Sequence, residues 1–220
     1  MRTVTVLFTV LFVAVLCHTS ASFAQSSGSF SASYSGTQCS INGPGVVTGG
    51  SLPPVTVKVS SGSGVALVIT PSFVTGLYTT NSLNSNKTTS TQNVGLRMKV
   101  MVDGVTTNVV PELGSLGVIY DQRFIQVTAG FLSSVQACID STTSGTDCFT
   151  LVMNTLGARS FNFYVSNLTP GTHTISVSWD VVGDTGGGGT CVGPGTLTVE
   201  QVKNFNFNSP ISPSNPTLFF

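Results

Sequence analysis

Four cysteines carry the most definite chemistry in this chain. Cys39, Cys138, Cys148 and Cys191 follow a fifth cysteine, Cys17, which lies in an apolar N-terminal run. An even number of cysteines in an exported chain predicts two disulfide bonds, for which three pairings exist. Because Cys138 and Cys148 enclose a short polar loop, we expect a local bridge between them. The remaining pair then predicts a long bridge from Cys39 to Cys191.

The same cysteines could instead bind a metal ion. No two of them have the Cys-x-x-Cys spacing of a zinc site, and after the N-terminal run the chain has a single histidine, His173. Asp180 and Asp184 could offer oxygens to calcium, but two carboxylates are too few for a site. We therefore expect no metal and no cofactor.

Enzymatic chemistry has little support in the sequence. A serine hydrolase needs a nucleophile, a base and an orienting group, yet no Gly-x-Ser-x-Gly motif occurs. His173 directly follows a turn, where we expect an exposed residue at the end of a strand. The eight carboxylates form no recognisable pair of the kind that a glycosidase uses. We therefore expect a protein that is not an enzyme.

The N-terminus has the pattern of a secretory signal. Arg2 precedes an apolar run over residues 4–16, and small residues lie near Ala24 before Gln25. This run is shorter than the roughly 20 residues that a membrane-spanning helix needs. We predict a signal peptide over residues 1–24, with no later membrane span. The expected location is secreted, either extracellular or at the cell surface.

The composition is poor in charge. Charged residues make up 7% of the chain, against about 25% in ordinary soluble domains. Eight basic residues balance eight acidic ones, and the basic residues form no cluster. Because nucleic-acid binding needs clustered basic residues, we expect no nucleic-acid partner. Serine, threonine, asparagine and glycine supply the polarity, as is common in exported β proteins.

Residues 160–182 give the clearest strand, turn, strand pattern. Apolar side chains occupy every second position from Phe161 to Val165 and again from Ile175 to Val181, which indicates two half-buried strands. The turn residues Thr169-Pro170-Gly171-Thr172 lie between them. The pattern predicts either a hairpin or a corner between two sheets, and each apolar row needs a partner layer.

Other segments extend this β pattern. Residues 96–102 alternate and are followed by Asp103-Gly104, which predicts a type I′ hairpin with residues 105–110. Residues 78–92 are polar, which predicts a long exposed loop. Residues 131–139 have helical spacing, so we allow one short helix. We predict one all-β domain over residues 25–203, an antiparallel sandwich of about eight to ten strands, immunoglobulin-like or jelly-roll-like.

The run Leu168-Thr169-Pro170-Gly171-Thr172, followed by an alternating strand, resembles the L-x-P-G-T corner of fibronectin type III domains. These domains belong to the broader immunoglobulin-like class. The resemblance covers about ten residues of the 220. It implies a sandwich fold of the kind used for adhesion, display and binding, although a fold alone does not define a function.

The C-terminal tail, residues 204–220, favours a structural or adhesive role. It is rich in proline and ends in Leu218-Phe219-Phe220. A groove or open sheet edge on a neighbouring copy could bury this apolar end, although the tail could equally fold back on its own domain. We therefore expect a non-enzymatic subunit of an extracellular surface, matrix or filament, with a homo-oligomer as its assembly.

A secreted carbohydrate-binding module is the alternative function. Tyr78, Tyr120 and Tyr164 are expected on outward faces, where their rings could stack on sugars beside the polar loops. The partner would then be an extracellular glycan.

Overall fold

The computed structural model describes residues 28–39, 49–61, 65–106, 108–111, 117–131, 133–141, 147–183 and 187–203. These residues form eleven strands and one α-helix. The predicted signal peptide over residues 1–24 and the tail over residues 204–220 lie outside the described residues. The strands and the helix are β1 (Phe30–Ser35), β2 (Gly50–Ser51), β3 (Val55–Val59), β4 (Ala66–Leu83), β5 (Thr89–Val102), β6 (Val109–Val110), β7 (Val118–Thr128), α1 (Ser133–Ser141), β8 (Phe149–Ser160), β9 (Phe163–Ser166), β10 (Gly171–Gly183) and β11 (Gly188–Val202).

The strands form two antiparallel sheets, which confirms the predicted all-β sandwich. Sheet A has six strands in the order β1-β11-β4-β9-β6, with β8 also paired to β4. Sheet B has five strands in the order β2-β10-β5-β7, with β3 also paired to β10. Two of the eleven strands, β2 and β6, contain only two residues each.

Strand β4 organises sheet A. It contains 18 residues and pairs with β11 along one side, from Ala66 opposite Val202 to Thr79 opposite Gly188. Its other side pairs first with β9 and then with β8. Because successive side chains of a strand point to opposite faces, the odd-numbered residues of β4 face the interior and the even-numbered ones face outward.

The apolar core lies between the two sheets. Ile175 and Val177 of β10 are fully buried, as the alternation of this strand predicts. Trp179 is partly buried against the same core, where its ring centroid lies 5.9 Å from that of Phe73. The largest fully buried side chains are Phe163, Leu67, Ile69, Leu83, Leu96, Met98, Ile175 and Leu197.

The turn over residues 169–172 is a corner between the sheets. It connects β9 of sheet A to β10 of sheet B, so the strand, turn, strand pattern does not form a hairpin within one sheet. Gly171 has a φ of 149°, a value that residues with a side chain rarely adopt. Glycine adopts this φ more readily than any other residue, and the chain passes from sheet A to sheet B at this position.

The Asp103-Gly104 turn is present, but the hairpin predicted around it is only partly correct. Both residues have positive φ, 52° and 81°, and Val102 and Val105 exchange two backbone hydrogen bonds. Beyond this pair the chain leaves sheet B, and β6 pairs with β9 in sheet A. Strand β7 takes the edge of β5 instead, from Met98 back to Thr89.

The prediction of a long exposed loop over residues 78–92 is wrong. Strand β4 continues to Leu83 and β5 begins at Thr89, so only a short turn separates them. The side chains that misled the prediction are polar and yet buried, and Ser90 Oγ donates a 3.0 Å hydrogen bond to Asn81 Oδ1 inside the sandwich. This buried polar group comprises Thr79, Asn81, Ser90, Gln92 and Thr190.

The helix α1 confirms the prediction of one short helix. It lies before β8 and packs against the end of β4. Leu83, Ala129, Val135 and Ile139 form a second, smaller apolar cluster there. This cluster is separate from the main core between the sheets.

Candidate functional site

The long disulfide joins the segment after β1 to the neighbouring strand β11 of sheet A. Cys39 follows β1 and bonds to Cys191 in β11, with 5.3 Å between the two Cα atoms. Cys39 packs so closely on Gly193 that a Cβ at that glycine would lie 2.7 Å from the Cys39 nitrogen. The bridge closes 152 residues of sequence, so it restrains most of the sandwich in one covalent loop.

The short disulfide fastens the helix to the strand after it. Cys138 lies on α1 and Cys148 immediately precedes β8, with 5.8 Å between their Cα atoms. Both pairings are the ones that the sequence predicts. Two disulfides are consistent with an extracellular protein.

Tyr120 does not lie on an outward face, which corrects its assignment to a sugar-binding surface. Its side chain is buried in the main core, against Phe73 at a centroid distance of 6.4 Å. Its hydroxyl lies 2.5 Å from the Arg159 carbonyl and 3.1 Å from the Pro71 carbonyl, either of which can accept its proton. Burial raises the pKa of Tyr120 to about 12. The residue therefore joins β7 to sheet A.

Tyr78 and Tyr164 lie on the outer face of sheet A but far apart. Tyr164 is opposite Val68 of β4, ten positions along that strand from Tyr78. At about 3.3 Å per residue, the two rings are separated by about 33 Å along the sheet. The three predicted tyrosines therefore do not form one sugar-binding platform.

Hydrogen bonds and an ion pair between polar side chains connect β7 to sheet A. Thr75 Oγ1 donates a 2.6 Å hydrogen bond to Asp121 Oδ2, and Arg159 forms an ion pair with the other carboxylate oxygen at 3.4 Å. Asp121 is largely buried, whereas half of the Arg159 side chain is exposed. The sequence alone did not indicate this pair, because its members are 38 residues apart.

Arg123 of β7 adds further hydrogen bonds to sheet A. One of its terminal nitrogens donates to the carbonyls of Leu77 (3.1 Å) and Met153 (3.0 Å), and the other donates to the Thr155 hydroxyl. Burial lowers the pKa of Arg123, while the charge of Asp121 acts in the opposite direction. These groups satisfy one another across the two sheets, so their arrangement supports the fold.

His173 is buried rather than exposed, contrary to the sequence expectation. Its Nδ1 lies 2.7 Å from Asp103 Oδ2, and its Nε2 lies 2.8 Å from the Thr169 carbonyl. Both neighbours are acceptors, so both ring nitrogens are best satisfied when each carries a proton. The other oxygen of Asp103 accepts a 2.8 Å hydrogen bond from the Thr174 backbone nitrogen. This contact joins the Asp103-Gly104 turn to the start of β10.

The contact between His173 and Asp103 predicts that the stability of the protein depends on pH. Burial alone would lower the pKa of His173, but the contacts with Thr169 and Asp103 outweigh it and raise the pKa above 6.5. The hydrogen bond from Thr174, followed by the one from His173, lowers the pKa of Asp103 below 3.8. The histidine contribution is therefore complete below pH 6.5 and is lost as the pH rises through the folded pKa. The aspartate contribution is complete above pH 3.8 and is lost as the pH falls through its folded pKa.

We expect an NMR titration of His173 to give a pKa above 6.5, and urea unfolding to show lower stability at pH 8 than at pH 5.5. The replacement Asp103→Asn should lower the histidine pKa and reduce this difference. A His173 pKa at or below 6.5 in the unmodified chain would contradict the assignment.

Strand β8 is the candidate functional surface. Among the described residues it pairs only with β4, so no described strand lies along the other side of β8. Val152 and Leu156 lie on the outer face of sheet A and are 53% and 57% exposed. We call residues 149–160 with this open side the β8 edge. An exposed apolar edge strand is a typical surface for pairing with another chain.

This surface has no signal in the sequence, because a strand pattern does not show which strands will have a neighbour. The exposure of Phe30 and Tyr34 in β1 is likewise visible only in the structure. Their strand turns its serines inward, where Ser31 Oγ donates to the Thr56 carbonyl at 2.7 Å.

Other kinds of site find no support within the described ranges. In that part of the chain no three His, Cys, Asp or Glu side chains come together in a way that could hold a metal ion. Nor is any helix there long and apolar enough to cross a membrane. No protein-family model matches the chain, and no curated protein matches it at a significant level.

Proposed function

We propose that this protein is a secreted, non-enzymatic structural or adhesive subunit that assembles with copies of itself outside the cell. The observation that carries the proposal is the β8 edge. Monomeric proteins usually protect a long edge strand with charges, proline or a bulge. Strand β8 has only one charged residue, Arg159, lacks proline, and pairs with β4 without a register shift.

Covalent and electrostatic features support the same proposal. The two disulfides suit a building block that must persist in an oxidising environment. With 7% charged residues the surface carries little charge repulsion between copies. We also propose that the sandwich is of the immunoglobulin-like class, which the corner over residues 169–172 supports because it crosses from one sheet to the other.

The apolar tail is the second proposed contact. Residues 204–220 end in Leu218-Phe219-Phe220, and burial of this end against another copy would remove it from water. We expect native mass spectrometry of the chain from residue 25 onward, the mature chain, to give particles larger than a monomer. Deleting residues 204–220 should leave a folded protein and reduce the size of the particles.

Three outcomes distinguish the possibilities. A monomeric mature chain at micromolar concentration would contradict assembly. Unchanged particles after deletion of residues 204–220 would remove the tail from the proposal. A glycan array on the mature chain tests the alternative of a carbohydrate-binding module, for which the wide separation of Tyr78 and Tyr164 gives no support.

A further inference from the structure

The interior of the sandwich changes from apolar to polar along β4. Phe73 belongs to the main core, and Leu83 belongs to the smaller apolar cluster beside α1. Between these two residues, the inward positions of β4 include Thr79 and Asn81, which are both fully buried. The buried polar group therefore lies between the two apolar clusters.

Sheet A contributes a third member of this group from β11. Thr190 is 1% exposed and lies opposite Leu77 of β4. Since opposite residues of an antiparallel pair share a face, Thr190 points inward like Leu77. It is then a diagonal neighbour of Thr79, at about 7 to 8 Å between the two positions. The three polar side chains of sheet A thus lie on one small part of its inner face.

Sheet B contributes Ser90 and Gln92 from the facing strand β5. The 3.0 Å hydrogen bond from Ser90 Oγ to Asn81 Oδ1 shows that the two sheets approach each other closely here. A Cβ added at Gly187 would lie 2.7 Å from Gln92 Nε2 and 2.8 Å from the Thr80 carbonyl oxygen. The Gln92 amide therefore lies near the backbone of β4, beside Asn81.

Four polar atoms of this group are buried and have no hydrogen-bond partner among the described residues. They are Thr79 Oγ1, Asn81 Nδ2, Gln92 Oε1 and Thr190 Oγ1. A buried polar atom without a partner destabilises the folded state, because it has lost its hydrogen bonds to water. Turning the Asn81 amide over would not help, since its oxygen would then be the unpaired atom. Folded proteins pair the large majority of such atoms, so a further partner is needed here.

We propose that the buried polar group is a binding site for water, with at least one molecule that bridges the two sheets. Water can accept a hydrogen bond from the Asn81 amide nitrogen and donate one to the Gln92 amide oxygen. The two threonine hydroxyls can donate or accept. Water is retained in protein interiors where two to four polar partners surround it, whereas apolar cavities stay dry.

Charge and size favour water over other ligands. None of the five side chains in the group carries a charge, so the site suits a neutral ligand. The direct contact between Ser90 and Asn81 holds the sheets together beside the four atoms, which favours a very small one. The site lies inside a single copy of the protein, so the inference is independent of the proposed assembly.

A crystal structure of the mature chain tests the site directly. We expect density for an ordered water molecule at about 2.7 to 3.2 Å from Gln92 Oε1 and from at least one of the three unpaired atoms of sheet A. Absence of ordered water at these atoms would overturn the inference. Another part of the chain bonded to these atoms, or density too large for water, would overturn it as well.

Replacement of the threonines by valine distinguishes a hydrated site from a dry one by the direction of the effect. Valine keeps nearly the shape of threonine but has no hydroxyl. In a dry site Thr79→Val would remove an unpaired polar atom and stabilise the protein. With water bound, the variant removes a partner of that water, so we expect the equilibrium constant for unfolding to rise about fivefold. Thr190→Val should act in the same direction.

Thr80→Val is the matched control for these variants. Thr80 lies on the same strand as Thr79 but faces outward and is partly exposed, so the constant should change by no more than about twofold. Urea unfolding measures all three variants against the unmodified mature chain. A constant that falls, or stays within the range of the control, for both Thr79→Val and Thr190→Val would contradict bound water.

Discussion

Removing the long disulfide is expected to lower the free energy of unfolding by about 5 kcal/mol, because the unfolded chain regains the freedom of a very long loop. The change is Cys39→Ala together with Cys191→Ala, and the bridge closes 152 residues of sequence. Alanine is chosen because Cys191 is buried and a serine hydroxyl there would lack water. Urea unfolding of the two proteins measures the difference, with one shared value for the dependence of the unfolding free energy on urea concentration.

The short disulfide is the matched control. Cys138→Ala together with Cys148→Ala opens a bridge with a sequence separation of only 10. The same chain-entropy argument gives a loss of about 3 kcal/mol. The long bridge should therefore contribute about 2 kcal/mol more than the short one. Equal losses, or a larger loss for the short bridge, would show that loop length does not govern the stabilisation.

The second large effect is expected in the core. Phe163→Ala should lower the free energy of unfolding by about 3 to 5 kcal/mol, because it removes a fully buried ring and leaves a cavity that the sheets cannot fill. Phe163 is only 1% exposed and is the largest of the fully buried side chains. It lies on β9, which pairs with both β4 and β6. The variant should also bring the denaturant midpoint down without changing the slope.

Phe161→Ala provides the control for this effect. The two rings are 5.2 Å apart between centroids, yet Phe161 is 37% exposed and lies between β8 and β9. Its removal should cost about 1 kcal/mol, mostly the loss of the ring contact. If Phe161→Ala lowered the free energy of unfolding as much as Phe163→Ala does, Phe161 would belong to the core, contrary to this structure.

Local spacing predicted much of the architecture. Ile175 and Val177 are buried as their alternation requires, and the Asp103-Gly104 turn has the positive φ values expected for those residues. The proline and glycine of the corner lie where the chain changes sheets. Each of these features depends on residues within a few positions of one another, so the sequence pattern contains the information directly.

The errors arose where polar residues are buried. Thr79, Asn81, Ser90 and Gln92 point into the sandwich, so the segment that contains them has no apolar alternation. A polar run of this kind indicates a loop when only the sequence is considered. The prediction failed because neighbouring strands bury these polar residues and provide part of their hydrogen bonds. Their residue types alone do not indicate such burial.

By itself the sequence determined the β class, the short helix, the turn over residues 169–172 and the pairing of the cysteines, whereas only the structure shows that this turn is a corner between the sheets. Tertiary structure alone decided that His173 and Tyr120 are buried, that Asp121 and Arg123 join the sheets, and that β4 is the only described strand paired with β8. The physical reason is the distance along the chain. Alternation and turn residues act over a few positions, whereas the groups that cover or leave open a given strand come from segments tens of residues away.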